Sequence, residues 1–406
     1  MPESTADGPA KLSTRRSAPL LFWVGVGLLA LNLRIGVASI PPILPELKSR
    51  LGLTTTSESI LVALPVVCFG VVSSIAAVAT RRFGEERVLG TAMAGVAIGL
   101  SIRALWPTGL LFLGTVVMAG SIALANVLLA SLIKRREPHR AGLLIGVYLV
   151  ALSGGASVAS AVTVPLFNAA HGSVHTTLGI WALPAVLALV VWAPQLRHRT
   201  IPSIGRRQRL GLVHQPLAWQ VTSFMGLQSC CYYSVVSWLP TMIRHRGSSA
   251  TAAGIDVAML SIGSVIGSFT TPTFAVDLRH HQKLVAPIMV VCILGIGGLL
   301  FAPLGFGIPL ALLLGTGQGA ALALALLFVI ARSPNPAAAA SLSAMSQGIG
   351  YSFAATGPLA VGLVHVVSRS WTWAFGVVLF LSVAEWISAW FAARPITLEI
   401  LEHAGA

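Results

Sequence analysis

Charge is what this sequence has least of. Lys, Arg, Asp and Glu make up only 9% of its 406 residues, against roughly a quarter in an average soluble domain. That scarcity excludes an ordinary water-soluble globule. Acids are rarer still: 12 Asp and Glu face 26 Lys and Arg, a formal charge of +14. In a soluble chain such an excess would suggest nucleic acid. Here the basic residues sit in short segments between long apolar runs, so no nucleic-acid partner is expected. The 4 cysteines, Cys68, Cys230, Cys231 and Cys292, all lie inside apolar runs. None has CxxC or Cys/His spacing, which excludes a disulfide framework or a cysteine metal centre. His171 and His175 have i,i+4 spacing, but two ligands do not make a metal site, so neither metal nor cofactor is expected. A cleavable signal peptide is also missing, because the first nineteen residues are polar and no small-residue cleavage site follows a short apolar core.

What is abundant is apolar length. Hydrophobic residues make up 55% of the chain, with 40 Gly and 23 Pro, a composition that suits closely packed and broken helices in lipid. Spans are predicted at about 20–45, 57–80, 88–106, 109–133, 142–168 and 177–194, and again at 216–243, 253–276, 284–303, 307–331, 338–366 and 371–393. Each is near the ~20 residues that a bilayer crossing needs. The chain then divides into a tail (1–19), a bundle (20–194), a basic linker (195–215), a second bundle (216–393) and a final tail (394–406). With both termini cytoplasmic, nineteen basic residues fall inside and six outside, Arg103 and Arg244 among the six. This asymmetry places the protein in the cytoplasmic (inner) membrane as a multi-pass protein with both ends inside. Shifting the halves by 195 residues aligns Pro45 with Pro240, Gly52 with Gly247, Gly120 with Gly315 and Gly155 with Gly350. The fold class expected is an all-α membrane protein of twelve helices, six plus six, related by a pseudo-twofold axis along the membrane normal. Any site should lie near mid-membrane between the halves.

The polar exceptions inside the spans are the candidates for that site. Arg34 interrupts the first span. A guanidinium at the centre of a lone spanning helix costs ~2.5–3.5 kcal/mol on insertion scales and cannot shed its proton, so it should face protein or water. It can anchor a carboxylate-like anion by paired hydrogen bonds, or it can be a structural tie. Asn32, two residues away, points elsewhere and should pack between helices. Gln228 and Tyr232, four apart on the seventh span, share a face that the repeat sets opposite Arg34. Trp238, nearer the helix end, reads as an interfacial aromatic. Asn126, Gln318, Gln347 and Tyr148 are further candidate ligands, each of which could instead join two helices. The run Gly315-Thr316-Gly317-Gln318-Gly319 lies within an apolar span with no preceding strand, which rules out a nucleotide loop. It reads as a packing seam. The deep acid is Glu385, expected at the periphery on the twelfth span, so no simple carboxylate proton relay is expected.

Two sets of residues carry a resemblance. TRRFGEERVL, Thr80 to Leu89, resembles the loop signature of the major facilitator superfamily: a Gly, an acid and a base, then Gly and two basic residues. Gly84 matches the second glycine. Arg81 stands where the acid belongs, and Glu85 and Glu86 where the basic pair belongs. Gating ion pairs through Arg81, Arg82 and Glu85 would therefore take reversed polarity or not form; the alternative is a solvated loop that sets topology. Asp277-Leu278-Arg279 in the second half keeps an acid and a base. LNLRIGVASIPPILPEL (31–47), RRFGEER (81–87), ANVLLASLIKRREP (125–138) and GLQSCCYYSVVSWLPTMIRHRG (226–247) are similar to the cyanate-permease and 2-nitroimidazole-exporter branch of that superfamily, although Ile35 replaces its usual proline. The resemblance implies a secondary transporter of a small anion or polar organic molecule, a monomer in the lipid bilayer, or alternatively an exporter of nitroimidazole-type compounds. No set of nucleophile, acid–base or metal residues is visible in the spans, which argues against an embedded enzyme. The lack of a sizeable soluble domain argues against a sensor.

Overall fold

Prolines decide where the expected spans break. Pro41 and Pro42 end α1 (Leu20–Ala38), and a 3-10 turn over Pro41–Ile43 leads into the amphipathic α2 (Leu44–Leu51). A proline ring clashes with the carbonyl four residues back and supplies no N–H. Residues 37 and 38 are those positions. The same spacing recurs at Pro184 and Pro358. The sixth span divides into α7 (Val174–Ile180) and α8 (Ala182–Trp192), and the eleventh into α13 (Pro336–Ala354) and α14 (Thr356–Ser368). Five other prolines, Pro65 among them, stay inside continuous helices.

The computed structural model describes residues 20–105, 107–137, 140–197, 211–274 and 281–399. The remaining helices are α3 (Thr55–Phe83), α4 (Glu85–Arg103), α5 (Gly109–Arg136), α6 (Ala141–Ala169), α9 (Pro216–His245), α10 (Ala250–Phe274), α11 (His281–Phe301), α12 (Gly307–Ala331) and α15 (Trp371–Ala392). With the broken pairs joined, they make twelve crossings, six in each half. Ten stretches are long and apolar enough to cross a membrane on composition alone. The other two crossings are α4, which opens on Glu85, Glu86 and Arg87, and α9, which carries Gln228, Ser229, Tyr232, Tyr233 and Ser234. Most of α9 is buried, and protein rather than lipid meets its polar side chains.

Two seams join the halves: α3 packs on α13 and α14, and α6 packs on α10. Between the seams α1 and α9 face each other. The face of the protein at which α1 begins is called the near face, and the other the far face. At the far face an apolar core draws on both halves, with Ile43, Leu44 and Leu61 against Trp238, Leu239 and Trp371. Trp238 is therefore not interfacial: it is 1% exposed and donates to the Pro358 carbonyl at 2.8 Å. The expected glycine seam is present. Gly263 and Gly267 of α10 lie against Leu312, Thr316 and Ala320 of α12, and Gly315 and Gly319 of α12 against Leu260 and Ser264 of α10, so closely that a Cβ at any of the four would meet backbone. Small residues spaced four apart permit such backbone approach in lipid.

Candidate functional site

Arg34 sits on the side of α1 that faces α9. Its guanidinium carbon lies 5.6 Å from the ring centre of Tyr232 and 5.6 Å from that of Tyr233. The two rings stand edge to face, 5.4 Å apart. Cations are drawn to such ring faces, more strongly where water is excluded. Tyr148 of α6 and Tyr351 of α13 also act electrostatically on Arg34. The chain has only 4 tyrosines, and all of them gather about this one cation. Arg34, Tyr148, Tyr232 and Tyr351 are deep between the halves yet only half-buried, while Tyr233 is buried. Their accessible surface shows that the side chains leave a cavity or cleft between them, lined by one guanidinium and by aromatic rings with hydroxyl edges.

The other sequence candidates divide. Asn126, half-buried on α5, lies 3.4 Å from the Tyr148 hydroxyl through its Oδ1, so it extends the cavity wall. Gln228 turns away: it is 2% exposed and donates to the Gln318 backbone carbonyl at 3.3 Å, while Ser229 donates to its Oε1 at 3.2 Å. Gln318 is fully buried, with neither side-chain polar atom bonded. Both glutamines belong to the interior of the second half. Gln347 donates to Ser343 Oγ within its own helix at 2.7 Å. The structure thus brings Arg34, Tyr232, Tyr148 and Asn126 together and leaves Gln228 and Gln318 apart from them, while Gln347, half-buried, lies one turn before Tyr351 on α13. Asn32 joins helices as expected, donating to Leu28 and to Pro184 carbonyls at 2.8 and 3.0 Å.

Sequence reasoning missed Tyr233, which lies one residue off the chosen face, and Tyr351. It also missed Arg103. Counted as an outward helix-end charge, Arg103 is instead 2% exposed, and its Nη1 donates to the Gly36 carbonyl at 2.7 Å. Arg103 thereby holds the last turn of α1 two residues from Arg34, at a carbonyl that also accepts from Ser39 Oγ at 3.2 Å. Ser160 reaches the Ala38 carbonyl at 3.5 Å. Glu385 corrects another expectation. It is not peripheral but fully buried, beside Cys231 and Ser382.

Closure is visible at the far face. Arg244, at the end of α9, makes a two-pronged pair with Glu46 of α2 at 2.7 and 2.8 Å and also reaches the Pro42 carbonyl. Fork-to-fork geometry gives such a pair direction as well as strength. At the α3–α4 joint Gly84 has a φ of 84°, which a glycine adopts freely. Beyond it Glu85 is buried and pairs with Arg135 of α5, within the first half. Arg82 lies over the Phe83 ring. The side chain of Arg81, and Asp277 and Arg279 altogether, lie outside the described residues.

Comparison with known proteins agrees with this architecture. The family profile described as Major Facilitator Superfamily matches residues 26–355. An uncharacterized transporter of Bacillus subtilis (strain 168), YycB, is 36% identical over 86% of this chain and 88% of its own length. The 2-nitroimidazole transporter of Escherichia coli (strain K12) is 35% identical over 87% of this chain and 90% of its own. The cyanate transport protein CynX of the same organism is 31% identical over 86% and 91%. Among solved structures, a D-xylose-proton symporter superposes with a TM-score of 0.71 at 14% identity, covering 94% of this chain and 99% of that one.

Proposed function

We propose that this chain, which belongs to the major facilitator superfamily, carries a small anionic or polar organic solute across the cytoplasmic membrane by alternating access. The observation that supports this reading is a guanidinium on α1 between the halves, with the rings of Tyr232 and Tyr233 5.6 Å away. A buried charge in lipid is expensive and is functional by default. In this reading Arg34 holds a planar anionic or strongly dipolar group by paired hydrogen bonds. Tyr232, Tyr233 and Tyr148 wall the cavity, and Asn126 orients the Tyr148 hydroxyl. Gln228 and Gln318 support the helices behind it.

The relatives named for 2-nitroimidazole and for cyanate agree in chemistry. Both solutes are small and conjugated, with an electron-rich end. Import of an anion and export of a nitroimidazole-type compound are the two directions that the reading allows. Gating falls to the Glu46–Arg244 pair at the far face, taken as external, and to the charged loop from Arg81 to Glu85 at the near face, taken as cytoplasmic. The carrier works as a monomer, with both termini in the cytoplasm.

The test is equilibrium binding. Cyanate, 2-nitroimidazole, benzoate and a neutral drug-like compound are offered to detergent-solubilised protein, and the thermal midpoint is followed. A ligand at 100 times its Kd stabilises by about 2.7 kcal/mol. At least one anionic or nitro-bearing probe should raise the midpoint of the wild type and leave that of Arg34→Ala unmoved. An equal shift in both proteins would remove Arg34 from the site.

A further inference from the structure

Charged side chains inside a membrane commonly pair with one another; among the described residues no acid pairs with Arg34. Two tyrosine rings lie 5.6 Å from it, and none of the ion pairs among the described residues includes it. Among the described residues three acids are paired with other cations. Glu46 pairs with Arg244, Glu58 with Lys48 and Glu85 with Arg135. Glu385 is sealed within the second half, facing Cys231, Cys230 and Cys292. A second guanidinium, Arg103, lies buried behind α1, its Nε and Nη2 without hydrogen-bond partners. Arg34 and Arg103 thus set two guanidinium groups inside the first half, and no ion pair among the described residues includes either.

Alternating access requires this cavity to close between its two open states. Closure strips water from Arg34. The guanidinium cannot shed its proton to escape, and two tyrosine faces return only part of its lost hydration. A bound anion restores the balance, because it takes the place of the missing acid. Closure with cargo is then fast and closure without cargo is slow.

We infer that this carrier is an obligatory exchanger, in which the cavity crosses the membrane loaded with an anion or an anion-like solute in each direction. The inference rests on the reading of Arg34 as the solute anchor. It goes beyond that reading by fixing the mode of transport: one solute enters only as another leaves, and no co-transported proton is needed to reset the carrier.

The experiment is counterflow with the purified full-length chain in liposomes. Radiolabelled cyanate, 2-nitroimidazole and benzoate are each supplied outside. The vesicles hold either the same compound unlabelled or gluconate, which is too large and hydrated to serve as cargo. For a compound that is carried, the initial saturable uptake should be about a hundredfold faster into vesicles holding that compound, the ratio expected when one closing step goes without a counter-charge. A ratio above ten supports exchange. Equal saturable rates into both kinds of vesicle would overturn exchange and leave the Arg34 site standing. No saturable uptake of any of the three in either kind of vesicle would overturn the site reading, and exchange with it.

Discussion

At the scale of single residues, the polar side chains of this membrane protein fall into those that meet a cavity and those that meet a helix. Asn32 is of the second kind. Its bond to the Pro184 carbonyl ties α1 to the break between α7 and α8. Hydrogen bonds between membrane helices contribute about 0.6–1.7 kcal/mol. Asn32→Leu should accordingly lower the thermal midpoint in detergent while leaving solute affinity unchanged; a loss of affinity at unaltered stability would place Asn32 in the pocket instead. Arg103 differs, because it holds the backbone that carries Arg34. A hydrogen bond to a charged donor is worth about 1.5–3 kcal/mol, so Arg103→Ala should raise the KM for solute about tenfold through displacement of Arg34. Arg103→Lys, which keeps one donor for the Gly36 carbonyl, should recover part of that loss. Unchanged KM in Arg103→Ala would reduce Arg103 to a packing residue. Arg34 could be read from the sequence because an arginine inside an apolar run has few explanations. Gln228 could not be assigned the same way. A shared helical face fixes which residues are neighbours, but whether that face meets a cavity or another helix depends on packing.

At the scale of elements, proline position and glycine position carry most of the information. The twelve crossings were legible as apolar runs bounded by basic or turn-rich segments. The breaks were not, since Pro184 and Pro358 interrupt their helices while Pro65 and Pro165 do not. Which prolines break a helix depends on whether neighbours can take the freed backbone groups, and a sequence does not show its neighbours. Glu385 was misplaced for a related reason: its helix number suggested the periphery, yet its side chain points inward to α9. Gly84 is the clearest single element joint. With φ at 84° and ψ at 154°, a residue bearing a Cβ would be strained there by about 1–3 kcal/mol. Gly84→Val should lower the thermal midpoint by several degrees and slow transport, because α3 and α4 can no longer turn sharply between Arg82 and the Glu85–Arg135 pair. An unaltered midpoint would mean that the joint bends without glycine.

At the scale of the whole molecule, two halves meet around Arg34 and are joined at the far face by the Glu46–Arg244 pair. The sequence gives the halves through their 195-residue offset, but the latch joins residues 198 apart in the chain and emerges only once the halves are docked. Coupling between residues in contact is commonly 0.5–3 kcal/mol. Glu46→Gln should therefore open the far face more often. Val37 lies half-buried on α1, one turn beyond Arg34; with Val37→Cys as a reporter, a membrane-impermeant thiol reagent applied at the far face should label it severalfold faster in Glu46→Gln. The exchanged pair, Glu46→Arg with Arg244→Glu, should return labelling to the slow rate; labelling indifferent to all three changes would show that the apolar core around Ile43 and Trp238 closes the far face alone. The account as a whole depends on a guanidinium that holds the solute by its shape as well as its charge. The most direct measurement is saturable uptake of labelled cyanate or 2-nitroimidazole by reconstituted Arg34→Lys, matched to the wild type for inserted protein. The account predicts that uptake falls to the level of protein-free vesicles, since an ammonium lacks the paired donors. Uptake within a factor of two of the wild type for whichever solute it carries would contradict it.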